Sequence, residues 1–353
     1  FNHLVEYNYD ANGNRIQLKL DSAVHTTYAY DVANRLTTLT DESSQNFTFG
    51  YDIANRLISR AMPNGISSTF DYDGMSRLKR LKHETAAATL TDNNFTYTPA
   101  QQIGQIAEIS QTKNFTYDNV DRLTGMTNGI TNESYTFDGV GNRTASHISA
   151  SYGYQPFNRV TTTANSSMNY DSNGNMVQRS EGSNFWRYAW DHENRMTTGS
   201  TRKQTVRYKY DALSRRVQRT LGFGKENTKY TYDGHDVVMD DDGAYGITKY
   251  QNGFGIDDKI KLTNAGASKY FLQDHLGSTL GLADSNGNVV SSASYDSFGN
   301  SSNNLTTRYQ YTGREYDSFT GLHYYRARFY DANLGRFISE DPIKFGGGIN
   351  WFA

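Results

Sequence analysis

The chain of 353 residues carries a formal net charge of −2 and contains 27 Tyr, 18 Phe and no Cys, which excludes disulfides and cysteine zinc sites. Its aromatic fraction of 14% and its 4 Pro argue against a disordered chain, whose composition is poor in aromatic residues. The balanced charge gives no reason to expect a nucleic-acid partner, and no run of about 18 apolar residues predicts a transmembrane segment. The hydrophobic fraction of 36%, against roughly 45–50% in globular proteins, favours a thin wall over a solid core.

The dipeptide Tyr-Asp recurs along the first two thirds of the chain. Its first four copies are spaced 21 residues apart and stand at Tyr9, Tyr30, Tyr51 and Tyr72. With later copies and variants such as Trp190-Asp191, the stretch 1–232 is one unit written about twelve times. A period of about 20 residues suits one β-hairpin and is too short for two packed helices.

Each unit predicts a strand, a tight turn and a return strand. Aromatic residues alternate before the Asp, as in Phe47, Phe49 and Tyr51, so they share one face of the strand. The Asp carboxylate can accept the backbone N–H two residues further on, and an Asn or Gly then takes the position with positive φ. The return strand begins with Arg and Leu, as in Arg56 and Leu57.

Stacked hairpins of this kind predict a long antiparallel strip. A flat strip would expose its edges and would twist, so we expect it to coil or close around a hollow interior. Roughly 30 strands spaced about 4.8 Å apart, closed as a single turn, would form a ring about 46 Å across.

The last third of the chain carries motifs of a different kind, at 270–279, 284–290, 295–299, 311–317, 320–331 and 334–343. Together with the repeats they resemble the YD-repeat or RHS-repeat family, which includes bacterial RHS toxins, the C components of insecticidal toxin complexes and the shell of animal teneurins. The resemblance implies an all-β fold in which a long antiparallel β-hairpin strip coils into a hollow spiral shell over 1–269. It also implies an RHS repeat-associated core over 270–353 that plugs or caps the C-terminal end.

The resemblance also implies candidate catalytic residues, because the family's core cuts itself with an aspartyl protease activity that uses an Asp-Pro motif. Asp341 matches that Asp, and Arg336 in the Gly-Arg-Phe motif is the candidate for orienting a carboxylate. Such a protease needs two carboxylates that share a proton, and Glu340 and Asp331 are the other acids near the end of the core. The alternative for Asp341 is a turn cap ahead of Pro342.

The family's second Asp-Pro-Gly-Leu-like segment does not occur in this sequence. We therefore expect no enzyme in this fragment and an autoprotease only in a full-length parent. No cofactor is predicted, and neither is a metal site. The run Asp171-x-Asn173-x-Asn175 lacks the Gly that a calcium loop has at its sixth position, and the acids at 240–242 suit a solvated turn.

The function that the resemblance implies is a structural shell that encloses and shields a cargo polypeptide, such as a C-terminal toxin. Components of a secretion system or a toxin complex are the further partners that it implies. One alternative is a secreted or cell-surface adhesion module that binds glycans through its aromatic stripes, and the other is the core-domain autoprotease. We expect the protein to be exported by a bacterium and to be secreted or held at the cell surface.

Overall fold

The structure, a computed structural model, describes residues 3–224, 226–243 and 246–353. Within these residues the fold is almost entirely antiparallel β, with 34 strands in three sheets. Every strand pairs only with its neighbours in sequence, so each sheet is a continuous series of hairpins. The predicted fold class, a long strip of antiparallel hairpins coiled into a shell, is confirmed.

The first sheet contains 14 strands: β1 (Val5–Tyr9), β2 (Arg15–Leu20), β3 (Ala23–Tyr30), β4 (Leu36–Asp41), β5 (Asn46–Tyr51), β6 (Leu57–Ala61), β7 (Ser67–Tyr72), β8 (Leu78–Glu84), β9 (Thr89–Tyr97), β10 (Ile103–Ala107), β11 (Thr112–Tyr117), β12 (Leu123–Thr127), β13 (Asn132–Phe137) and β14 (Arg143–Ser146).

The second sheet contains 16 strands: β15 (Tyr152–Gln155), β16 (Arg159–Thr163), β17 (Ser166–Tyr170), β18 (Met176–Glu181), β19 (Asn184–Trp190), β20 (Met196–Ser200), β21 (Thr205–Tyr210), β22 (Arg216–Leu221), β23 (Glu226–Asp233), β24 (Asp236–Asp241), β25 (Ile247–Asn252), β26 (Lys259–Asn264), β27 (Ala267–Gln273), β28 (Thr279–Ala283), β29 (Val289–Tyr295) and β30 (Ser301–Asn303). The third sheet, which we call the core sheet, contains β31 (Glu315–Asp317), β32 (Leu322–Tyr325), β33 (Arg328–Asp331) and β34 (Arg336–Phe337). Two short 3₁₀ turns span Tyr311–Gly313 and Lys344–Gly347.

The turn after each Tyr-Asp pair is built on the Asp carboxylate, as the unit at Asp52 illustrates. One carboxylate oxygen accepts the backbone N–H of Ala54 at 2.9 Å and that of Arg56 at 3.0 Å, and the other accepts Arg56 Nε at 2.6 Å. These hydrogen bonds, the one from the Arg56 N–H foremost, hold the pKa of Asp52 below its usual value. Asn55 takes the left-handed position with φ of 62°. The predicted Asx turn is therefore present.

Neighbouring units are bonded to each other through the same residue types. Tyr51 Oη donates a hydrogen bond to the backbone carbonyl of Leu36 in the preceding unit, at 2.9 Å. The Arg35 guanidinium of that unit lies 5.1 Å from the centre of the Tyr51 ring and donates to Asn55 Oδ1 at 3.1 Å. The hydroxyl-to-carbonyl bond recurs at Tyr30, Tyr72, Tyr97, Tyr117, Tyr210 and Tyr232. The Tyr of the repeat thus joins one hairpin to the one before it.

The aromatic stripes face the inside of the coil. Phe47 and Phe49 of the first sheet are buried and pack against Tyr270 and Leu272 of the second sheet. The ring centres of Phe47 and Tyr270 are 6.1 Å apart. The inner faces of the two sheets therefore bury each other's apolar side chains.

Polar contacts across the coil form what we call the seam, where residues 5–84 lie against residues 233–284. The Asp41 carboxylate and Lys261 Nζ are 2.5 Å apart, and both side chains are almost completely buried. Further polar contacts of the seam include those that join His25 to Tyr250, Thr26 to Gln251, Arg60 to Asp258, Asn64 to Asp284 and His83 to Gln273. The seam holds the start of the strip against its later strands.

The prediction of an open ring about 46 Å across is wrong, because the strip does not close as one circle of paired strands. Its ladder is interrupted between β14 and β15, where the Ser146 and Tyr152 hydroxyls are hydrogen-bonded at 2.8 Å. Side chains from opposite walls also meet in the interior. Three cavities among the described residues have volumes of about 400, 590 and 590 Å³.

The predicted division at 269/270 lies inside β27, and the second sheet continues to Asn303. The change from the second sheet to the core sheet comes between Asn303 and Glu315. The division of the chain into 1–269 and 270–353 remains a proposal about domain organisation.

We predict that Tyr210→Phe lowers the free energy of unfolding by about 1 kcal/mol, because it removes the hydrogen bond that Tyr210 Oη donates to the Met196 carbonyl at 2.7 Å. Tyr9→Phe is the matched control. Tyr9 is 58% exposed and its hydroxyl bonds to no described residue, so we expect a change of less than about 0.5 kcal/mol. Urea denaturation measures both, and equal stability of the two variants would contradict the role of the repeat Tyr.

We predict a pH dependence from His83, whose pKa burial lowers to about 4, with nearby Arg60 acting in the same direction. In the unfolded chain the pKa of His is about 6.5, so the stabilising effect of the neutral ring is complete above that pH and is lost as the pH falls towards 4. Between pH 7 and pH 5 the unfolding free energy should fall by about 2 kcal/mol more in the wild type than in His83→Gln.

Denaturant titrations at the two pH values measure this difference. His192→Gln is the control, because His192 lies in an exposed turn with a side chain 88% accessible, and it should retain the wild-type pH dependence. The same pH dependence in His83→Gln as in the wild type would contradict the prediction.

Candidate functional site

The core sheet lies on the inner face of the second sheet, over strands β15–β22. Leu322, Tyr324 and Phe329 of the core sheet are buried against Met196 and Tyr208 of the second sheet. The rings of Tyr208 and Phe329 are 5.4 Å apart. A segment of this chain thus occupies the interior that the aromatic stripes face.

Buried ion pairs fix the core sheet to the second sheet. Arg216 Nη2 and Glu315 Oε2 are 2.6 Å apart, and the two side chains are 1% and 6% exposed. The other two pairs of this kind join Arg219 to Asp317 at 2.8 Å and Arg179 to Asp331 at 2.5 Å. In each pair the second sheet supplies the arginine and the core sheet supplies the carboxylate, so charge complementarity sets the position of the core sheet.

Aromatic groups complete the surroundings of these charges. The Arg216 guanidinium lies 4.2 Å from the centre of the Tyr324 ring and 5.2 Å from those of Tyr208 and Tyr230. Tyr230 Oη also donates to Glu315 at 2.8 Å. Burial alone would raise the pKa of Glu315, but the nearby arginines, Arg216 foremost, outweigh it and hold that pKa below its usual value. The carboxylate therefore stays ionised inside the protein.

Asp341, the candidate catalytic residue, lies in a turn outside the core sheet. Its carboxylate contacts Arg328 Nη2 at 3.0 Å and accepts the backbone N–H of Ile343 at 3.0 Å. The second contact is the turn cap that was the alternative interpretation. Arg328 was not identified from the sequence. Its alternation with Arg326 in Arg-Ala-Arg was the available signal, but the contact with Asp341 depends on the path of the chain between them.

The described residues do not show the shared carboxyl pair of an aspartyl protease. Glu340 is paired with Arg159 at 2.8 Å and with Lys344 at 2.6 Å, while Asp331 is paired with Arg179. No hydrogen bond between described residues joins Asp341 to a second carboxyl group. A catalytic role of Asp341 in a longer parent protein stays a prediction.

Arg336 does not contact Asp341 and instead anchors the C-terminal segment. Its Nη2 donates to the backbone carbonyl of Asn158 at 2.8 Å and to Asn350 Oδ1 at 3.3 Å, and the guanidinium lies 5.0 Å from the centre of the Phe352 ring. Burial lowers the pKa of Arg336. The predicted orienting role also stays a prediction, since in this structure Arg328 holds the position beside Asp341.

The C-terminal segment 338–353 crosses the turns of the strip. Asn350 Nδ2 donates to Asn142 Oδ1 at 3.0 Å, and the Ile338 carbonyl accepts the Met176 N–H at 2.9 Å. Glu340 lies directly over Gly174, where a Cβ atom would come within 2.2 Å of its carboxylate. Glycine at this turn makes room for the crossing segment.

Asp171 and the acids at 240–242 are the residues that the sequence analysis considered, and did not predict, as metal ligands. Asp171 accepts hydrogen bonds from the Asn175 backbone and side chain. The solvated turn expected at 240–242 is wrong for Asp240, which is buried in β24 because its carboxylate accepts hydrogen bonds from Arg308 and Tyr250. Among the described residues no cluster of three or more His, Asp or Glu is arranged to hold a metal ion. The part of the chain that the structure covers contains no helix with the length and apolar character needed to span a membrane.

Comparison with family models gives two matches. The model described as teneurin YD-shell matches residues 60–345, and the RHS repeat model matches residues 9–45 and 30–67.

Comparison with curated proteins finds relatives among bacterial toxins. The chain is 32% identical over 229 residues to the tRNA nuclease WapA of Bacillus subtilis. The aligned stretch covers 59% of this chain and 9% of that protein. It is 27% identical over 241 residues to toxin protein Tse5 of Pseudomonas aeruginosa, covering 56% and 18% respectively. The chain therefore spans less than a fifth of the length of these relatives.

Among solved structures, the chain is similar to the TcdB2-TccC3 complex without its hypervariable C-terminal region, with a TM-score of 0.71 and 18% sequence identity. The match covers 99% of this chain and 21% of that one. A likeness at this identity concerns the fold, and it extends over nearly the whole chain.

We predict that Arg216→Met destabilises the protein by about 2–3 kcal/mol, because the buried Glu315 carboxylate loses its closest cation and keeps only the ion pair with Arg308 at 2.9 Å. The double variant Arg216→Met, Glu315→Leu should regain most of that loss, since replacing both partners of a buried pair is often close to neutral. Chemical denaturation measures both. Lys249→Met is the control, because its pair with Glu42 is partly exposed and should contribute less than about 1 kcal/mol. A double variant as unstable as the single one would contradict this account.

Proposed function

This chain belongs to the teneurin YD-shell family, and from that premise we propose that its coiled strip forms part of a wall that encloses a cargo polypeptide, with a toxin as the cargo. The observation that carries the proposal is the position of the core sheet. The inner face of the strip already holds a polypeptide segment of this same chain, through apolar packing and buried ion pairs. The relatives named as a nuclease and a toxin support a toxin as the cargo.

The mechanism is confinement. The seam and the bonds between units close the wall, so that a polypeptide on its inner face is separated from proteases and from the cytoplasm of the producing cell. Three cavities among the described residues, of about 400, 590 and 590 Å³, each have room for a short stretch of polypeptide. The chain therefore acts as one part of an enclosing wall, with the cargo held in extended form along it.

Export to the cell surface or the surroundings follows from this role, because a confined toxin acts outside the cell that makes it. The partners are then the cargo and the components that deliver it. Glycan binding through the aromatic stripes gains no support, because the stripes face inwards and residues such as Phe47 and Tyr208 are buried.

The proposal is tested by joining a reporter peptide of about six residues, short enough for the cavities of this chain and containing one specific protease site, to Ala353 of the full chain. We expect cleavage at least about tenfold slower than in the free peptide, because the site is cut only when the wall opens locally. Lys261→Glu should abolish this protection, since it places a second negative charge beside buried Asp41 in the seam. Lys203→Glu, which makes the same charge change in an exposed hairpin, should retain it. Cleavage of the wild-type fusion at the rate of the free peptide would refute enclosure.

A further inference from the structure

The inner face of the first sheet at β9–β13 carries a cavity that the core sheet does not cover. The cavity has a volume of about 400 Å³ and lies between this face and strands β28 and β29 of the second sheet. Its apolar lining includes Ile103, Ile106, Phe115, Met126 and Leu280. Ile109, which is 61% exposed, lies at its mouth, so the cavity opens to solvent. Its size suits a few side chains of a polypeptide.

One carboxylate in this cavity has an unused oxygen. Glu133 is 6% exposed, and its Oε2 accepts hydrogen bonds from Tyr135 Oη at 2.6 Å and from the Ser297 N–H at 3.1 Å. Its Oε1 accepts no hydrogen bond from any described residue. A buried carboxylate gains from a cationic hydrogen-bond donor, because a charge in an apolar site is costly without one.

The other carboxylates of the cavity already have partners. The Asp92 carboxylate accepts hydrogen bonds from Arg80 Nε and Nη2, both at 2.7 Å. Glu108 Oε1 lies 2.7 Å from Lys113 Nζ. Asp274 and Asp296 each accept backbone N–H groups of their own turns. Glu133 is therefore the acid in this cavity that is left to bind an incoming cation. Thr91 Oγ1 is a further buried polar atom of the lining that lacks a partner among the described residues.

The second sheet shows how the inner face binds a polypeptide. There the wall supplies Arg179, Arg216 and Arg219, and the bound core sheet supplies the carboxylates. At β9–β13 the signs of the charges are reversed, because there the wall supplies a carboxylate, that of Glu133, which has no cationic partner among the described residues. A segment bound in the same manner must therefore supply the cation, together with apolar side chains for the remaining lining.

We propose that this cavity binds a segment of the cargo polypeptide in which a lysine is flanked by apolar residues, with the lysine ammonium donating to Glu133 Oε1. The inference rests on the proposed enclosure of a cargo and names the chemistry of one contact that the cargo makes. The flanking side chains fill the lining around Ile106 and Met126, and the segment enters past Ile109.

The test titrates the full chain with the peptide N-acetyl-Leu-Val-Lys-Val-Leu-amide in a calorimeter. We expect saturable binding that Glu133→Gln weakens by about tenfold, the effect of losing one charge-assisted hydrogen bond. A peptide with norleucine in place of lysine should bind about tenfold more weakly to the wild type and should not distinguish it from Glu133→Gln. Glu193→Gln, which removes the same charge from an exposed turn of the second sheet far from the cavity lining, is the matched control and should leave the affinity unchanged.

Absence of binding, equal binding of the two peptides, or equal affinity of wild type and Glu133→Gln would each overturn the inference. Circular dichroism melting of Glu133→Gln shows whether the variant is folded. If it is not, the norleucine comparison on the wild type decides alone. If the peptide does not bind but the reporter at Ala353 is protected from cleavage, only this binding site is refuted and the proposed enclosure is not. If the reporter is not protected in the wild type, the proposed function itself is refuted.

Discussion

The structure depends on one constraint, which is that a β-hairpin of about 20 residues cannot satisfy its own polar groups or bury its own aromatic face. Each hairpin completes its neighbour instead. The Tyr51 hydroxyl bonds to a carbonyl of the preceding hairpin, and Arg35 of that hairpin reaches forward over the Tyr51 ring to Asn55. Stability then arises largely between adjacent units, as in other repeat proteins, and the strip can extend without a conventional core.

A strip stabilised in this way has a free inner face, and the structure uses that face in three ways. In the seam the face is buried against another part of the strip, as Phe47 is against Tyr270. Over β15–β22 it holds the core sheet through Arg216 and its partners. At β9–β13 it leaves a cavity that contains Glu133. The three regions share the same backbone architecture and differ only in which side chains the inward positions carry.

The sequence was sufficient to predict the features that arise within one unit or between adjacent units. The 21-residue spacing, the alternation of Phe47, Phe49 and Tyr51, and the Asx turn at Asp52 are local, and all appear in the structure. The seam could not be predicted, because His25 and Tyr250 are brought together by the curvature of the whole strip. The same holds for the candidate site. Arg336 is closer to Asp341 in sequence, yet the strand order of the core sheet brings Arg328 to that carboxylate.

The glycine in some of the turns has a consequence for how such a protein can change over time. At Gly174 the turn leaves room for Glu340, and at Gly299 it leaves room for the Tyr311 ring, which a Cβ atom would approach to 2.4 Å. Turns such as that of Asp52 carry a side chain at this position, and there the side chain bonds to the adjacent hairpin. Hairpins of the two kinds are thus not interchangeable. Gene duplication or recombination can lengthen the strip between hairpins that carry the side chain, whereas the hairpins of Gly174 and Gly299 have to keep their places beneath Glu340 and Tyr311.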